Sequence, residues 1–216
     1  EMALGYGDDK YWEPIKIDSF IIYGTKGSAT ETYAKENGFT FRKTGLTSKS
    51  TSVKLSKTSF NFDGKEIKPT VKVLDSKGRT LKKSNYTVTY SDNVKVGKAT
   101  ATITFKGKYS GTIKKTFTIK PAKTTVTGTT RKSDSVTLTW EKQKKEASGY
   151  QIQYATDRKF TKNAKTVTLA GIKKSSKKIS GLSEKTTYYF RVRTYKNVDG
   201  KQYYSGWSKT ETVKME

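Results

Sequence analysis

The groups that most often carry enzymatic chemistry are scarce in this chain. It has no cysteine and no histidine. That removes thiol nucleophiles and thiolate zinc sites, together with the commonest general base and the commonest transition-metal ligand. A serine hydrolase of the triad type has no imidazole to work with. Carboxylates are few: Asp8-Asp9 lies near the start, and Asp63, Asp92 and Asp199 sit in turn contexts, where aspartate usually bonds its own backbone. Glycoside hydrolysis would need two of them in a shared cleft, and nothing in the sequence suggests one. There is no P-loop and no dinucleotide fingerprint. The stretch SDNVKVG around Asp92 has too few acidic ligands for a calcium loop and a lysine close by. The expectation is a non-catalytic chain with no cofactor and no metal.

The residues that could still recognise something are aromatic and cationic. In TYYFRVRTY, strand alternation turns Tyr188, Phe190 and Val192 inward and Tyr189, Arg191, Arg193 and Tyr195 outward. Gln151 and Gln153 fall on a neighbouring strand, and a closing strand brings Tyr203, Tyr204 and Trp207. Two uses fit such a face. It could bind sugar, peptide or polyanion. Alternatively its arginines and rings could stack on one another as an internal cation–π ladder that stiffens the sheet, which is the preferred reading. Short lysine clusters form a second candidate: Lys114-Lys115, Lys142 with Lys144-Lys145, and Lys173-Lys174 with Lys177-Lys178. With 44 Lys and Arg against 19 Asp and Glu, the formal net charge is +25. Such a surface attracts polyanions non-specifically and in a salt-dependent way. The aromatic-interleaved signatures of RNA-binding modules are missing, so specific nucleic-acid recognition is not expected.

These groups need elements to hold them. The 216 residues suit two small domains and an extra segment. Hydrophobic residues make up only 32%, tyrosine occurs 14 times and threonine is abundant, a composition suited to sheets that bury one face. Residues 1–48 read as strand, turn, helix, strand through IIYGTKGSATETYAKENGFTFR. Ser28 is the expected N-cap, Glu31 completes a capping box, Gly38 ends the helix, and Phe39 and Phe41 alternate as a strand. Residues 49–121 alternate through Val71 and Val73, through Tyr86, Val88 and Tyr90, and through Ala99, Ala101, Ile103 and Phe105. Turns intervene at Asp63-Gly64, Ser76-Lys77-Gly78 and Lys106-Gly107. Residues 122–216 alternate through Val136, Leu138 and Trp140 and through Tyr150, Ile152 and Tyr154, with an Asp199-Gly200 hairpin and a single closing strand YYSGWSKTETVKM. The predicted fold is mainly β: two tandem antiparallel β-sandwiches preceded by a capping segment with one short helix. Trp140, Tyr150, Leu182, Tyr188 and Phe190 are assigned to structure.

Three resemblances follow from these stretches. ALGYG and YGTKGSATETYAKENGFTF resemble the last repeat and closing cap of BspA-like leucine-rich repeat arrays of bacterial surface proteins. NYTVTYSDN, VGKATATITFKGKYSGT and KKTFTIK resemble bacterial immunoglobulin-like repeats. VTLTWEKQ, GYQIQYAT and GL-x4-T-Y-x-F-R-V resemble a fibronectin type III domain, in which Tyr188 would form the tyrosine corner near Leu182. Trp207-Ser208 after Arg191 and Arg193 looks like the tryptophan–arginine ladders of cytokine-receptor fibronectin domains. The resemblances imply an extracellular or cell-surface, monomeric module that spaces a repeat array from the cell wall. Its partners would be a surface protein, a glycan or an anionic wall polymer. They also admit a direct binder using the outward face, or an accessory region of a secreted glycan-degrading enzyme. No run is apolar enough to span a membrane. The start lacks the form of a signal peptide, so an extracellular chain would be a mature form or a fragment.

Overall fold

Alternating side chains become strands along about half of the described residues. The computed structural model describes residues 20–43, 51–107 and 109–216. The ALGYG start, Asp8-Asp9 and the boundary expected near residue 48 lie outside the described residues. The fold is mainly β with one helix. The strands are β1 (Ile21–Gly24), β2 (Thr40–Lys43), β3 (Ser52–Leu55), β4 (Ser59–Asn61), β5 (Val71–Leu74), β6 (Tyr86–Ser91), β7 (Gly97–Phe105), β8 (Thr112–Lys120), β9 (Val126–Lys132), β10 (Ser135–Trp140), β11 (Gly149–Ala155), β12 (Lys165–Ala170), β13 (Ser176–Ser180), β14 (Thr187–Val198), β15 (Lys201–Tyr204) and β16 (Glu211–Lys214). The helix α1 spans Ala29–Glu36. The chain falls into two compact units. The first holds the described residues of Glu1–Lys54, Val71–Val88 and Thr102–Ile113, and the second holds Leu55–Thr70, Thr89–Ala101 and Lys114–Glu216.

In the first unit, β1 and β2 pair in parallel across α1. The helix closes by a double hydrogen-bonded turn. The Gly38 amide donates to the Lys35 carbonyl at 3.3 Å and the Phe39 amide to the Ala34 carbonyl at 2.8 Å. Gly38 has φ +65°, a conformation that suits glycine. Phe39 stacks on Tyr33 with ring centroids 6.3 Å apart, the apolar contact that accompanies this ending.

The other end of α1 differs from the expected capping box. The Ser28 side chain makes no capping bond, and its buried hydroxyl has no partner. The reason is local. The Ser28 amide already donates to the Thr25 carbonyl, and the Glu31 amide donates to the Ser28 carbonyl, so the hydroxyl has no donor to accept. Glu31 reaches one residue further back and accepts from the Gly27 amide at 2.6 Å. It also pairs with Lys35 at 3.1 Å, in the favourable order for a helix.

The sheets confirm the antiparallel expectation only in part. β3 pairs β5, and a four-stranded sheet runs β4-β8-β7-β6, but β4 pairs β8 in parallel. Fifty intervening residues supply the long return that a parallel pair demands. In the second unit, β13-β10-β9 faces a sheet ordered β12-β11-β14-β15, with β16 also on β14. Val136, Leu138 and Trp140 meet Tyr150, Ile152, Tyr188, Phe190 and Val192, and Met215 closes the end. Leu182 joins the same cluster. Burying each of these side chains contributes about 1.5–3 kcal/mol. The polar tips of the Trp140, Tyr150 and Tyr188 side chains in this cluster are occupied. The Trp140 Nε1 donates to the Lys174 carbonyl at 3.1 Å. The Tyr150 hydroxyl donates to the Ile172 carbonyl and accepts from the Gln143 amide, and burial pushes its pKa up. The Tyr188 hydroxyl accepts from the Ser183 amide at 3.2 Å, just after Leu182. Glu146 accepts from the Val96 amide at 2.9 Å and reaches Lys196 at 3.7 Å.

Of the turn aspartates expected to bond their own backbone, Asp63 accepts from the Lys65 amide at 2.9 Å, and the fuller amide clusters form at two positions that were not singled out. Asp75 accepts from the Arg79 and Lys77 amides and pairs with the Arg79 guanidinium. Asp157 accepts from the Lys162, Thr161 and Lys159 amides. Amide donation from Arg79 holds the Asp75 carboxyl below its usual value, amide donation from Lys162 does the same for Asp157, and that from Gly27 does so for Glu31. A depressed folded pKa stabilises above the unfolded value and is lost as pH falls through the folded one. The urea midpoint of the chain is therefore expected to decline as pH drops below about 4, where the unfolded carboxylates protonate first. An Asp157→Asn variant should show a shallower acid decline, and an identical pH profile would count against this turn as a contributor.

Candidate functional site

The aromatic and cationic face is set by the pairing of β11 with β14. Their register places Gln151 opposite Arg193 and Gln153 opposite Arg191, which brings the side chains to cross-strand contact distance. Each guanidinium turns one edge, with two N–H groups, on one amide oxygen. Arg193 donates from Nε at 3.0 Å and Nη2 at 2.7 Å to Gln151 Oε1. Arg191 donates from Nε at 2.9 Å, and also from Nη2, to Gln153 Oε1.

The flat faces of both guanidiniums are covered by rings. The stack runs Phe160, Arg191, Trp207, Arg193, Tyr204. The Arg191 carbon lies 3.8 Å from the Phe160 centroid and 4.7 Å from that of Trp207. The Arg193 carbon lies 4.2 Å from the Trp207 centroid and 3.9 Å from that of Tyr204. Each contact adds about 0.5–1 kcal/mol when exposed and about 2 when desolvated. Burial lowers the pKa of both guanidiniums, yet arginine keeps its charge in proteins.

Trp207 is held by a segment that is not a strand. The expected single closing strand breaks into β15 and β16, leaving residues 205–210 outside regular structure. Two serine hydroxyls bridge the gap. Ser205 Oγ accepts from the Thr194 amide at 3.0 Å and Ser208 Oγ from the Val192 amide at 2.9 Å. Their own amides donate to the carbonyls of the same two residues. The serines thus complete this edge of β14 where neither β15 nor β16 pairs, and of the two residues between them Gly206 carries no side chain. Trp207 is left to point across the arginines.

The candidate residues do not share one fate. Arg191, Arg193 and Trp207 form the stack. Tyr189 lies half-buried on the same strand, opposite Ala155 and Thr212, and takes no part in it. Tyr195, expected to be exposed, is buried at 4%. Its ring lies over Gly149, where an added Cβ would stand 3.0 Å from the Tyr195 ring and 2.0 Å from the Leu169 carbonyl oxygen. The glycine lets the tyrosine sink, and Tyr204 packs beside it with centroids 6.5 Å apart. Phe160 was not foreseen. It sits at φ +58° in the turn that Asp157 ties together. Its sole signal was one aromatic inside the polar run TDRKFTKN. Among the described residues, no three carboxylates converge as a metal site.

This face belongs to a region of known type. Residues 120–211 match the fibronectin type III domain family. No curated protein matches the chain. Among solved structures, one described as "Myokine structure" is 18% identical with a TM-score of 0.34, and the match covers 42% of this chain and 95% of that one. The third fibronectin III domain of human KIAA0343 protein is 16% identical with a TM-score of 0.34, covering 42% of this chain and 80% of that one. A fibronectin type III domain is ordinarily a non-catalytic module used in adhesion or binding.

Removing Arg193 should cost more than its charge. Arg193→Ala strips Tyr204 of its cation and Trp207 of one of its two, and leaves the buried Gln151 oxygen unpaired. An unfolding penalty of about 2–3 kcal/mol is expected in urea. Arg193→Lys should recover less than half of it, because an ammonium cannot fork or stack in the same way. Ser208→Ala orphans the Val192 amide and should cost about 1–2 kcal/mol. A loss below about 0.5 kcal/mol for Arg193→Ala, the range of an ordinary surface change, would show that the stack adds little.

Proposed function

We propose that the chain is a non-catalytic structural and adhesive module of a bacterial surface protein, spacing a leucine-rich repeat array from the cell wall. One observation carries this reading: the arginines most suited to gripping a ligand are spent inside the domain. Both guanidiniums have their faces sandwiched by rings and one edge bonded to a glutamine. A face built this way stiffens a sheet and offers little unsatisfied hydrogen-bonding capacity to a partner. The parallel pairing of β1 and β2 across one helix supports the leucine-rich repeat reading, because it is the unit such arrays stack. The lysine-rich surface fits a module lying against anionic polymer.

Arg191→Ala and Trp207→Ala separate this role from direct recognition. For a spacer, both variants unfold at lower urea and lower pulling force. Both also keep the parent's binding profile on immobilised glycans and surface proteins. A Trp207→Ala chain that stays folded but loses saturable binding to any of them would return the face to the role of a ligand site.

A further inference from the structure

The clearest unassigned feature lies at β15, an edge strand of its sheet whose outer backbone groups carry no ladder. Two clefts share Lys201 and Tyr203 and so meet on this strand. The smaller, about 350 Å³, is lined by three cations, Lys120, Arg193 and Lys201, and by no carboxylate. Among the described residues neither Lys120 nor Lys201 joins an ion pair, while Lys196 and Arg79 elsewhere do. Lys201 instead leans over the Tyr203 ring, with its Nζ 5.4 Å from the centroid. Thr118 adds a hydroxyl and Gln202 an amide to the same cleft, while the Ser205 hydroxyl there is held by the Thr194 amide. The larger, about 560 Å³, carries Lys95, Lys98 and the shared Lys201 against Asp92 and Asp199, so its charge is closer to balance.

We propose that the β15 edge binds an acidic polysaccharide, with a uronic-acid carboxylate seated between Lys120 and Lys201 and with Arg193, held by Gln151, adding only its fixed charge. Uncompensated cations supply the anion site. Adjacent tyrosine faces and neutral hydrogen-bonding groups are the inventory that sugar rings and hydroxyls require. A bare polyphosphate would use the cations alone and gain nothing from Tyr203. The larger cleft, closer to balance in charge, takes the next sugar along the chain. This site differs from the arginine stack: Arg193 meets it by an edge, and neither Arg191 nor Trp207 lines it. It therefore does not depend on the spacer role.

The overall charge of +25 will draw any polyanion, so the test must separate a site from a field. Trigalacturonate is titrated into the chain at about 150 mM salt, where exposed charges more than about 8 Å apart are largely screened. Lys120→Ala and Lys201→Glu are compared with Lys177→Glu, which sits on β13 of the opposite sheet. The site predicts about tenfold weaker binding for Lys201→Glu, a smaller loss for Lys120→Ala, and less than about twofold for Lys177→Glu. Tyr203→Ala should weaken trigalacturonate and leave tripolyphosphate unchanged. Equal losses at Lys201 and Lys177 would reduce the effect to bulk attraction and overturn the site, as would absent binding. Tighter binding of tripolyphosphate than of trigalacturonate, insensitive to Tyr203→Ala, would overturn the sugar assignment.

Discussion

The fibronectin type III region is organised around the two faces of β14. Its twelve residues alternate between a core that is closed to water and a ladder of rings and guanidiniums. A strand cannot move one set without moving the other, because neighbouring side chains are fixed half a pleat apart. Phe190 and Val192 are fully buried, and this pins Arg191 and Arg193 at the opposite surface. Pairing with β11 then supplies one glutamine for each arginine. The core therefore decides where the cations stand, and the cations hold the outer rings in place.

Serine hydroxyls solve a problem that this arrangement creates. β14 pairs β15 near its end and β16 near its start, and the amides of Val192 and Thr194 fall between. A buried amide without a partner costs about 1–3 kcal/mol. Ser205 and Ser208 accept from both, so the chain can leave the strand for long enough to place Trp207 over the sheet. An ordinary strand through this stretch would have alternated and placed its side chains in one fixed order. The break is what allows a tryptophan to lie flat between two arginines. The same economy appears at the turns, where Asp75 and Asp157 gather several amides on one carboxylate, and at α1, where Glu31 does the work that Ser28 leaves undone.

Stacking of this kind has a functional consequence. A guanidinium with one edge occupied and both faces covered is a poor ligand group, while an unpaired lysine beside a tyrosine is a good one. On this measure the conspicuous cluster of arginines belongs to the scaffold. The unremarked lysines at the β15 edge are the better candidates for recognition. Charge counts alone rank these groups in the opposite order.

Much of the fold was legible in the sequence because period-two alternation is a local property. Val136, Leu138, Trp140, Tyr150, Ile152, Tyr188 and Phe190 were assignable to a core from spacing, and Gly38 to a helix ending from its position after Asn37. The inward and outward sets of β14 followed in the same way, so Arg191 and Arg193 were placed on one face before any neighbour was known. What the sequence could not decide were the contacts made across long loops. The parallel β4–β8 pair, the burial of Tyr195 over Gly149, the arrival of Phe160 from a polar turn and the split of the closing strand by Ser205 and Ser208 all depend on which backbone comes to lie beside which. Ser28 shows the same limit at short range: its residue type is right for a cap, but the Glu31 amide that its hydroxyl would accept from goes to the Ser28 carbonyl. Alternation fixes the side of a strand on which a residue stands; only tertiary pairing decides what stands opposite, and so whether a cation is free to bind or is held within the fold.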